Sequence, residues 1–155
     1  MKKVNIIIAD DQIDFLNSLL EELKKQSNFN IVGAAYDGSE LLNLLKTIND
    51  VDFVITDNQM PKMTGLDVIR TIKKEKQDVP NIFVISGDNI FNECNILDIR
   101  FLQKTISVKK IIEIVNNEIE FEESIAMRQK MNVSASKDSW LKKIAKKISH
   151  KWLIY

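Results

Sequence analysis

The sequence contains very little cysteine and no long apolar run, and each shortage excludes a class of protein. With one cysteine, Cys94, the 155-residue chain forms no internal disulfide. No neighbouring residues complete a structural metal site around Cys94, so we interpret it as an ordinary helix or loop residue. The longest apolar runs are a few residues, whereas a membrane-spanning helix needs about 20.

The N-terminal stretch MKKVNIIIADD looks superficially like a secretory signal, because two lysines precede an apolar run. Asn5 interrupts that run, and Asp10 and Asp11 close it. We therefore interpret the run as a strand and expect a cytoplasmic protein. The composition, 45% hydrophobic and 28% charged, is ordinary for a soluble globular protein.

The formal net charge of zero hides two oppositely charged parts. Residues 1–123 carry 14 basic and 21 acidic side chains, whereas residues 124–155 carry 8 basic and 1 acidic. The first part is therefore −7 and the second +7, an asymmetry typical of an interaction tail. We predict a domain over residues 1–123 and a basic tail over residues 124–155.

Apolar runs of strand length alternate with segments of helical periodicity along the first 120 residues. The predicted strands are Val4–Ala9, Asn30–Ala35, a third ending at Asp57, Asn81–Ser86 and Ile99–Leu102. A helical pattern follows each strand, although the one near Ile90–Ile96 is weak. Five strand–helix units predict an α/β fold, a doubly wound parallel sheet with right-handed crossovers. Ligands bind such sheets at the carboxyl ends of the strands.

Three aspartates stand at predicted strand ends. Asp10 and Asp11 follow the first strand and Asp57 ends the third, before a loop that contains Pro61 and Gly65. Clustered carboxylates repel each other by up to a few kcal/mol per pair at an effective dielectric constant of about 20, so they need a cation. Mg²⁺ prefers oxygen ligands and is the expected cofactor.

This constellation resembles the receiver domain of two-component response regulators. The matching pieces occur in the family's order and span Lys3 to about Glu120: Asp10-Asp11, the loop Asp57-x-x-Met60-Pro61-x-x-x-Gly65, Ser86 after the run IFVI, and Phe101-Leu102-x-Lys104. The resemblance implies a five-stranded, flavodoxin-like sheet of order 2-1-3-4-5 with a C-terminal helical extension.

The same resemblance assigns roles to the metal-site residues. It implies that Asp57 accepts a phosphoryl group and ligates Mg²⁺ together with Asp11 and the backbone carbonyl of Gln59. Asp10 is implied to act on the metal through water. The donor is expected to be a histidine kinase or phosphotransfer protein, because the only histidine, His150, lies in the tail.

Three further residues receive roles from the resemblance. Lys104 is implied to neutralise charge on the phosphoryl oxygens, and Ser86 to donate a hydrogen bond to them. Phe101 is implied to swing between exposed and buried positions as the domain switches. Taken singly, Ser86 is equally well a strand-end cap and Phe101 a core aromatic. A lysine such as Lys104, taken alone, is in most cases a solvated side chain.

The sequence departs from the family pattern around Lys104. Thr105 stands where the family usually has proline, which predicts a trans peptide bond and leaves the placement of Lys104 open. Ser86 and Lys104 are only 18 positions apart, which predicts a short or irregular fourth helix. Leu97-Asp98-Ile99-Arg100 replaces the usual pair of small residues before the last strand.

The tail ends in SWLKKIAKKISHKWLIY, which predicts a basic amphipathic helix. Its apolar face consists of Trp140, Leu141, Ile144, Ile148 and Trp152. Such a helix needs a surface: an anionic membrane, nucleic acid phosphates, or an apolar groove on this domain or a second copy. We favour the protein groove, because a short fourth helix leaves apolar surface uncovered.

We weigh three functions. The first is a stand-alone response regulator that is not an enzyme, accepts phosphate on Asp57 and signals through a downstream protein or a homodimer. The second is a receiver-like binding module that signals without phosphorylation. The third is a Mg²⁺-dependent phosphohydrolase, although Gln59 stands where one such class has a second aspartate.

Overall fold

The computed structural model describes residues 3–75 and 79–131. Within these ranges, strands and helices alternate from the first strand to the last helix. They are β1 Val4–Ala9, α1 Ile13–Lys24, β2 Phe29–Ala35, α2 Gly38–Thr47, β3 Phe53–Asp57, α3 Gly65–Glu75, β4 Asn81–Ser86, α4 Phe91–Ile96, β5 Arg100–Gln103 and α5 Val108–Met131.

The strands form one sheet of order β2-β1-β3-β4-β5, and every neighbouring pair is parallel. This confirms the predicted α/β architecture and strand order. The direction in which successive strands are added to the sheet reverses at β1, because β2 lies on one side of β1 and β3 on the other. The carboxyl ends of β1, β3 and β4 therefore lie side by side at one edge of the sheet, which is where this topology places a ligand.

The central strands are apolar because both of their faces are covered. Ile6, Ile7 and Ile8 of β1 are fully buried, and the β3 run Phe53–Ile55 is buried throughout. Residues of α2, α3 and α4 form a core cluster with side chains of these strands. Continuous apolar runs are what a sheet with helices on both faces requires.

Helix α4 is a single six-residue segment, as the short distance between Ser86 and Lys104 predicts. The ammonium of Lys73, on α3, donates a hydrogen bond to the carbonyl of Leu97 at the end of α4. Cys94 is 1% exposed within α4, and burial raises the pKa of its thiol to about 11. Cys94 therefore lies on a helix, which is one of the two placements expected for it.

The last helix extends beyond residue 123, where the charge pattern places the domain boundary. The Ser107 hydroxyl accepts a hydrogen bond from the Lys110 N–H and caps α5. The helix then continues past Glu123 to Met131. The chain divides into two compact units, Met1–Ile114 and Val115–Tyr155, and the whole sheet lies in the first.

The predicted tail helix lies outside the described residues. No helix in the described part of the chain is long and apolar enough to span a membrane.

Candidate functional site

Asp57 is the last residue of β3 and is 4% exposed. Its Oδ1 accepts a hydrogen bond from the backbone N–H of Gln59 at 3.2 Å. Its Oδ2 accepts one from the Lys104 ammonium, and Nζ lies 2.7 Å away. The strand thus delivers a buried carboxylate to the carboxyl edge of the sheet, where a single lysine neutralises it.

Asp10 and Asp11 follow β1, and their side chains differ in solvent exposure. Asp10 is 2% exposed, and its Oδ1 accepts hydrogen bonds from the Gln12 N–H at 2.8 Å and from Lys104 Nζ at 3.2 Å. Its Oδ2 lies 2.9 Å from the same Nζ, an ion-pair distance, but receives no directed hydrogen bond from the described residues. Asp11 is exposed to solvent.

Two buried carboxylates thus share one ammonium, and burial together with these contacts shifts the pKa values of Asp10 and Lys104. Burial raises the pKa of Asp10, although Lys104 and the Gln12 N–H pull it down. Burial lowers the pKa of Lys104, but its hydrogen bonds to Asp57 and Asp10 outweigh burial and leave it raised. Lys104 is therefore charged at neutral pH.

The residues present fit a hard divalent cation. Asp10, Asp11 and Asp57 each offer a carboxylate oxygen, and these oxygens lie within 4.8 Å of one another. Oxygen donors from one or two carboxylates, completed by water, are the ligands that Mg²⁺ takes in proteins. The buried Asp10 Oδ2, which no described residue hydrogen-bonds, is the kind of atom that a cation or its water satisfies.

Ser86 ends β4 and is fully buried beside this edge. Its hydroxyl accepts a hydrogen bond from the Asp88 N–H at 3.1 Å, and its carbonyl accepts one from the Lys104 N–H at 2.8 Å. The second bond fixes the backbone of Lys104. The peptide bond after Lys104 is trans, since the described residues contain no cis bond.

Phe101 lies on β5, next to β4 in the sheet, and is half-buried. Its side chain packs against the core cluster that contains Val84, Ile90 and Cys94. The predicted switch moves Phe101 between an exposed and a buried position, and its burial in this structure is intermediate between the two. The switching role of Ser86 and Phe101, like the metal-binding role of the Gln59 carbonyl, stays a prediction.

The loop after Asp57 is held at both ends by close backbone packing. The Gly65 N–H donates to the Asn58 carbonyl at 3.0 Å, so the loop folds back on β3. A Cβ on Gly65 would meet the Asp57 carbonyl oxygen at 2.4 Å. The loop also contacts α2, where a Cβ on Gly38 would meet the Met63 carbonyl oxygen at 2.1 Å.

These contacts predict that alanine substitutions at different glycines differ in their effect on stability. Gly65→Ala and Gly38→Ala should each lower the free energy of unfolding by about 1–3 kcal/mol, because a backbone carbonyl must move. Gly87→Ala is the control, since its Cβ would meet nothing within 4 Å. Urea denaturation of the three variants measures the difference. Equal stabilities for all three would contradict the packing described for the loop.

Several residues at the site escaped the sequence analysis. Asp37 caps α2 through the Glu40 N–H and pairs with Lys62 of the Asp57 loop. The Gln59 amide donates to the Asp88 carboxylate, which joins the loops that follow β3 and β4. The pairing of Asp37 with Lys62 joins elements that are distant along the chain, and a local sequence pattern does not reveal such a contact.

Comparison with known proteins agrees with this geometry. The family model described as the response regulator receiver domain matches residues 6–116. A curated relative, the protein-glutamate methylesterase/protein-glutamine glutaminase of Clostridium acetobutylicum, is 32% identical over 82 residues, which are 53% of this chain and 24% of the relative. The matched region is thus about a quarter of that relative's length.

Solved receiver structures share the fold. The isolated REC domain of RcsB from Salmonella enterica serovar Typhimurium, with the phosphomimetic BeF3-, is 27% identical with a TM-score of 0.66, covering 74% of this chain and 87% of that one. A chain of the CheX-CheY-BeF3-Mg²⁺ complex of Borrelia burgdorferi is 24% identical with a TM-score of 0.66, covering 76% and 90%.

The family model extends over more than half of the sequence, and its span includes strands β2 to β5, most of β1, and the residues Asp10, Asp57, Ser86 and Lys104. The sheet order, the buried acidic edge and this match agree with one another. The chain belongs to the response regulator receiver domain family of two-component systems.

Proposed function

We propose that Asp57 accepts a phosphoryl group from a phosphohistidine of a histidine kinase or phosphotransfer protein in the cytoplasm. One observation carries the proposal: the buried Asp57 carboxylate lies at the carboxyl edge of the sheet, 2.7 Å from the only lysine that also contacts Asp10 within the described residues. Receiver domains bind Mg²⁺ at such an acidic cluster.

The transfer exchanges one bond to phosphorus for another. A carboxylate oxygen of Asp57 forms the new O–P bond while the P–N bond to the donor imidazole breaks, and that electron pair returns to the imidazole nitrogen. Lys104 holds its positive charge at the Asp57 oxygen and next to the arriving phosphoryl oxygens. The Gln59 N–H fixes the second carboxylate oxygen and so the plane of the carboxyl group.

The acidic residues around Asp57 supply the metal ligands in this proposal. Asp11 and Asp57, with the Gln59 carbonyl, would hold Mg²⁺ directly, and Asp10 would hold one of its waters. When bound, the cation supplies charge neutralisation for the phosphoryl oxygens. Without it, Asp10, Asp11 and Asp57 repel an incoming phosphate, so the reaction is expected to require Mg²⁺.

The test is mass spectrometry of the intact protein after incubation with acetyl phosphate and Mg²⁺. The expected product carries one phosphoryl group on the peptide that contains Asp57, and a chelator prevents its formation. Labelling that proceeds equally well in the chelator would overturn the metal requirement. An unlabelled protein, also after incubation with phosphorylated kinases, would favour the binding-module alternative, whereas steady hydrolysis of added phosphoesters would favour a phosphohydrolase.

We further propose that the output is a protein contact, with a downstream protein or a second copy, and that β5 and α5 transmit the signal. Lys104 and Ser86 are joined through their backbones, so movement of either reaches β5, where Phe101 is half-buried. Phosphorylation is then expected to shift a population between two packings of Phe101. The Ser86 hydroxyl, which accepts a hydrogen bond from the Asp88 N–H, would donate its own hydrogen to a phosphoryl oxygen.

Hydrogen exchange tests this route. On phosphorylation, exchange rates near Ile99–Val115 should change more than those near Leu41–Ile48, because α4 is too short to relay the change. The Asp57→Asn protein under the same conditions is the control and should show no change in either region. Equal changes in the two regions would contradict the route through β5.

The tail sequence supports a second contact surface. We propose that its apolar face docks on protein rather than on a membrane or nucleic acid, because the −7 domain attracts a +7 segment. Deleting residues 139–155 should lower thermal stability or dissociate a dimer, and Trp140 and Trp152 should emit at blue-shifted wavelengths without lipid. Emission typical of solvated tryptophan that shifts only with anionic vesicles would instead indicate membrane binding.

A further inference from the structure

Phe15 is a half-buried aromatic residue on the first turn of α1, and the apolar periodicity of that helix did not include it. Lys104 Nζ lies over its ring, 5.0 Å from the centroid. The same nitrogen lies 2.7 Å from Asp57 Oδ2 and within hydrogen-bond distance of Asp10. The ammonium is therefore bounded by two carboxylates and one ring face.

From this arrangement we infer that Phe15 is a positioning residue, which holds the Lys104 ammonium at the phosphoryl site through a cation–π contact. The inference rests on the proposed phosphorylation of Asp57. In this inference the ring acts on the transfer only through the Lys104 ammonium.

The need for such a contact follows from the chemistry of lysine. The side chain is long and flexible, and its ammonium is a compact, strongly hydrated charge. In this protein the Lys104 backbone is fixed by one hydrogen bond to Ser86, and Thr105 follows it through an ordinary trans bond. The Nζ position therefore depends on what surrounds the end of the side chain.

A ring face suits this task better than a third carboxylate. During phosphoryl transfer, Lys104 has to exchange its contact with an Asp57 oxygen for one with a phosphoryl oxygen. A directed hydrogen bond from another acid would compete with that exchange. The negative face of an aromatic ring attracts a cation without fixing an N–H direction, and a partly desolvated site strengthens the attraction. The Lys104 side chain is only 15% exposed.

The alternative is that Phe15 only fills space under α1. Fluorination separates the two roles, because fluorine atoms withdraw charge from the ring face while the ring keeps its place in the packing. We would incorporate mono-, di- and trifluorophenylalanine at position 15 and measure the rate of Asp57 labelling by acetyl phosphate with saturating Mg²⁺. The rate is expected to fall stepwise, by about tenfold in total.

The matched control is the same series at Phe29, which is buried at the amino end of β2, opposite the site. Those variants should label at the wild-type rate within about twofold. A rate that does not depend on fluorination at Phe15 would overturn the inference, and so would an equal decrease for both series.

A double-mutant cycle provides a second test with natural residues. Phe15→Leu should slow labelling about tenfold in the wild-type background and not at all in Lys104→Met, since the ring acts only through the ammonium. Phe15→Tyr should recover most of the rate that Phe15→Leu loses. If Phe15→Leu slows labelling by the same factor in both backgrounds, Phe15 has a packing role and the inference fails.

The outcomes also separate this inference from the proposed function. A wild-type protein that takes no label on Asp57 overturns the proposed function and, with it, the role of Phe15. A wild-type protein that labels normally, together with a flat fluorination series, overturns the role of Phe15 alone. Mg²⁺ affinity should stay within about twofold in every fluorinated variant, because the inferred effect of the ring is exerted on the Lys104 ammonium.

Discussion

Asp57→Asn is expected to abolish phosphorylation completely while the domain stays folded. The amide nitrogen and oxygen of asparagine are too weakly nucleophilic to attack phosphorus, and the Asp10 and Asp11 carboxylates serve the cation in the proposed site. Labelling by acetyl phosphate should therefore fall at least a hundredfold, to background. Intact-protein mass spectrometry measures the labelled fraction, and peptide mapping shows whether another residue takes the label.

The change in stability that Asp57→Asn causes has an expected sign. In the native cluster, Asp57 and Asp10 share the single Lys104 ammonium, and both carboxylates are buried. Asparagine removes one negative charge and leaves a one-to-one ion pair, so the free energy of unfolding without metal should be unchanged or higher, by up to about 1 kcal/mol.

Asp98→Asn is a matched control for Asp57→Asn. Asp98 is exposed and has a positive φ of 52°, a conformation that asparagine adopts readily. This variant loses an exposed carboxylate that is not part of the cluster and should label like the wild type. Persistent labelling of Asp57→Asn, or equal losses in the two variants, would sink the assignment of Asp57.

The sheet and the positions of the acids were predictable because they depend on local patterns. Continuous apolar runs identify strands that are buried on both faces, and an acid directly after such a run must lie at the strand's carboxyl end. The parallel topology then brings Asp10 and Asp57 together. The alternation of strands and helices gives the fold class, whereas the strand order came from the family resemblance.

Contacts between distant elements were not predictable in the same way. Helical spacing in the sequence places Ile13 on one apolar face of α1 with Leu16, Leu19 and Leu23. In the structure the three leucines are buried, but Ile13 is 59% exposed. Phe15 contacts Lys104 because α1 starts beside the carboxyl edge of the sheet. A hydrophobic pattern specifies which side of a helix is covered; it does not specify which charge lies above one of its rings.

The end of the last helix could not be predicted from charge composition either. The charge difference placed a boundary at residue 123, yet α5 continues to Met131. Neither glycine nor proline interrupts residues 108–131, so the backbone has no reason to leave the helix at Glu123. Charge composition and helix termination are separate properties, and the boundary at 123 stays a prediction about charge.

The position of Lys104 was left open by the sequence, because Thr105 replaces the usual proline. The structure places its ammonium against Asp57 all the same. Side-chain partners explain this result: Asp57, Asp10 and the Phe15 ring surround the ammonium, and Ser86 accepts the backbone N–H. Three contacts at the ammonium and one at the backbone N–H thus hold Lys104 in place, although a trans peptide bond and Thr105 follow it.

Removing the ammonium with Lys104→Met should have two large effects. The rate of Asp57 labelling should fall about a hundredfold or more, the usual loss when one preorganised charge at a reacting group is removed. Without metal, the free energy of unfolding should also fall, by about 3 kcal/mol, because two buried carboxylates are left without their cation. Urea denaturation and labelling kinetics measure the two effects separately.

The loss of stability in Lys104→Met should depend on pH with a definite sign. Burial already raises the pKa of Asp10 above its ordinary value, and loss of Lys104 removes a contact that lowers it. A carboxyl group whose pKa is higher in the folded protein takes up a proton more readily there than in the unfolded chain. The deficit relative to the wild type should therefore be small at low pH and grow as the pH rises through the folded pKa of Asp10.

Mg²⁺ distinguishes the proposed role of Lys104 from a general structural one. The carboxylates freed in Lys104→Met remain available to a cation, so Mg²⁺ should restore most of the lost stability, and its affinity should not decrease. The labelling rate should stay low even with saturating Mg²⁺, because the metal does not occupy the position of Nζ beside the phosphoryl oxygens.

Lys110→Met, which breaks an exposed pair with Glu113, is the control and should change neither the stability nor the labelling rate appreciably. A parallel loss of metal affinity and rate in Lys104→Met would mean that Lys104 supports the metal site and does not face the phosphoryl group.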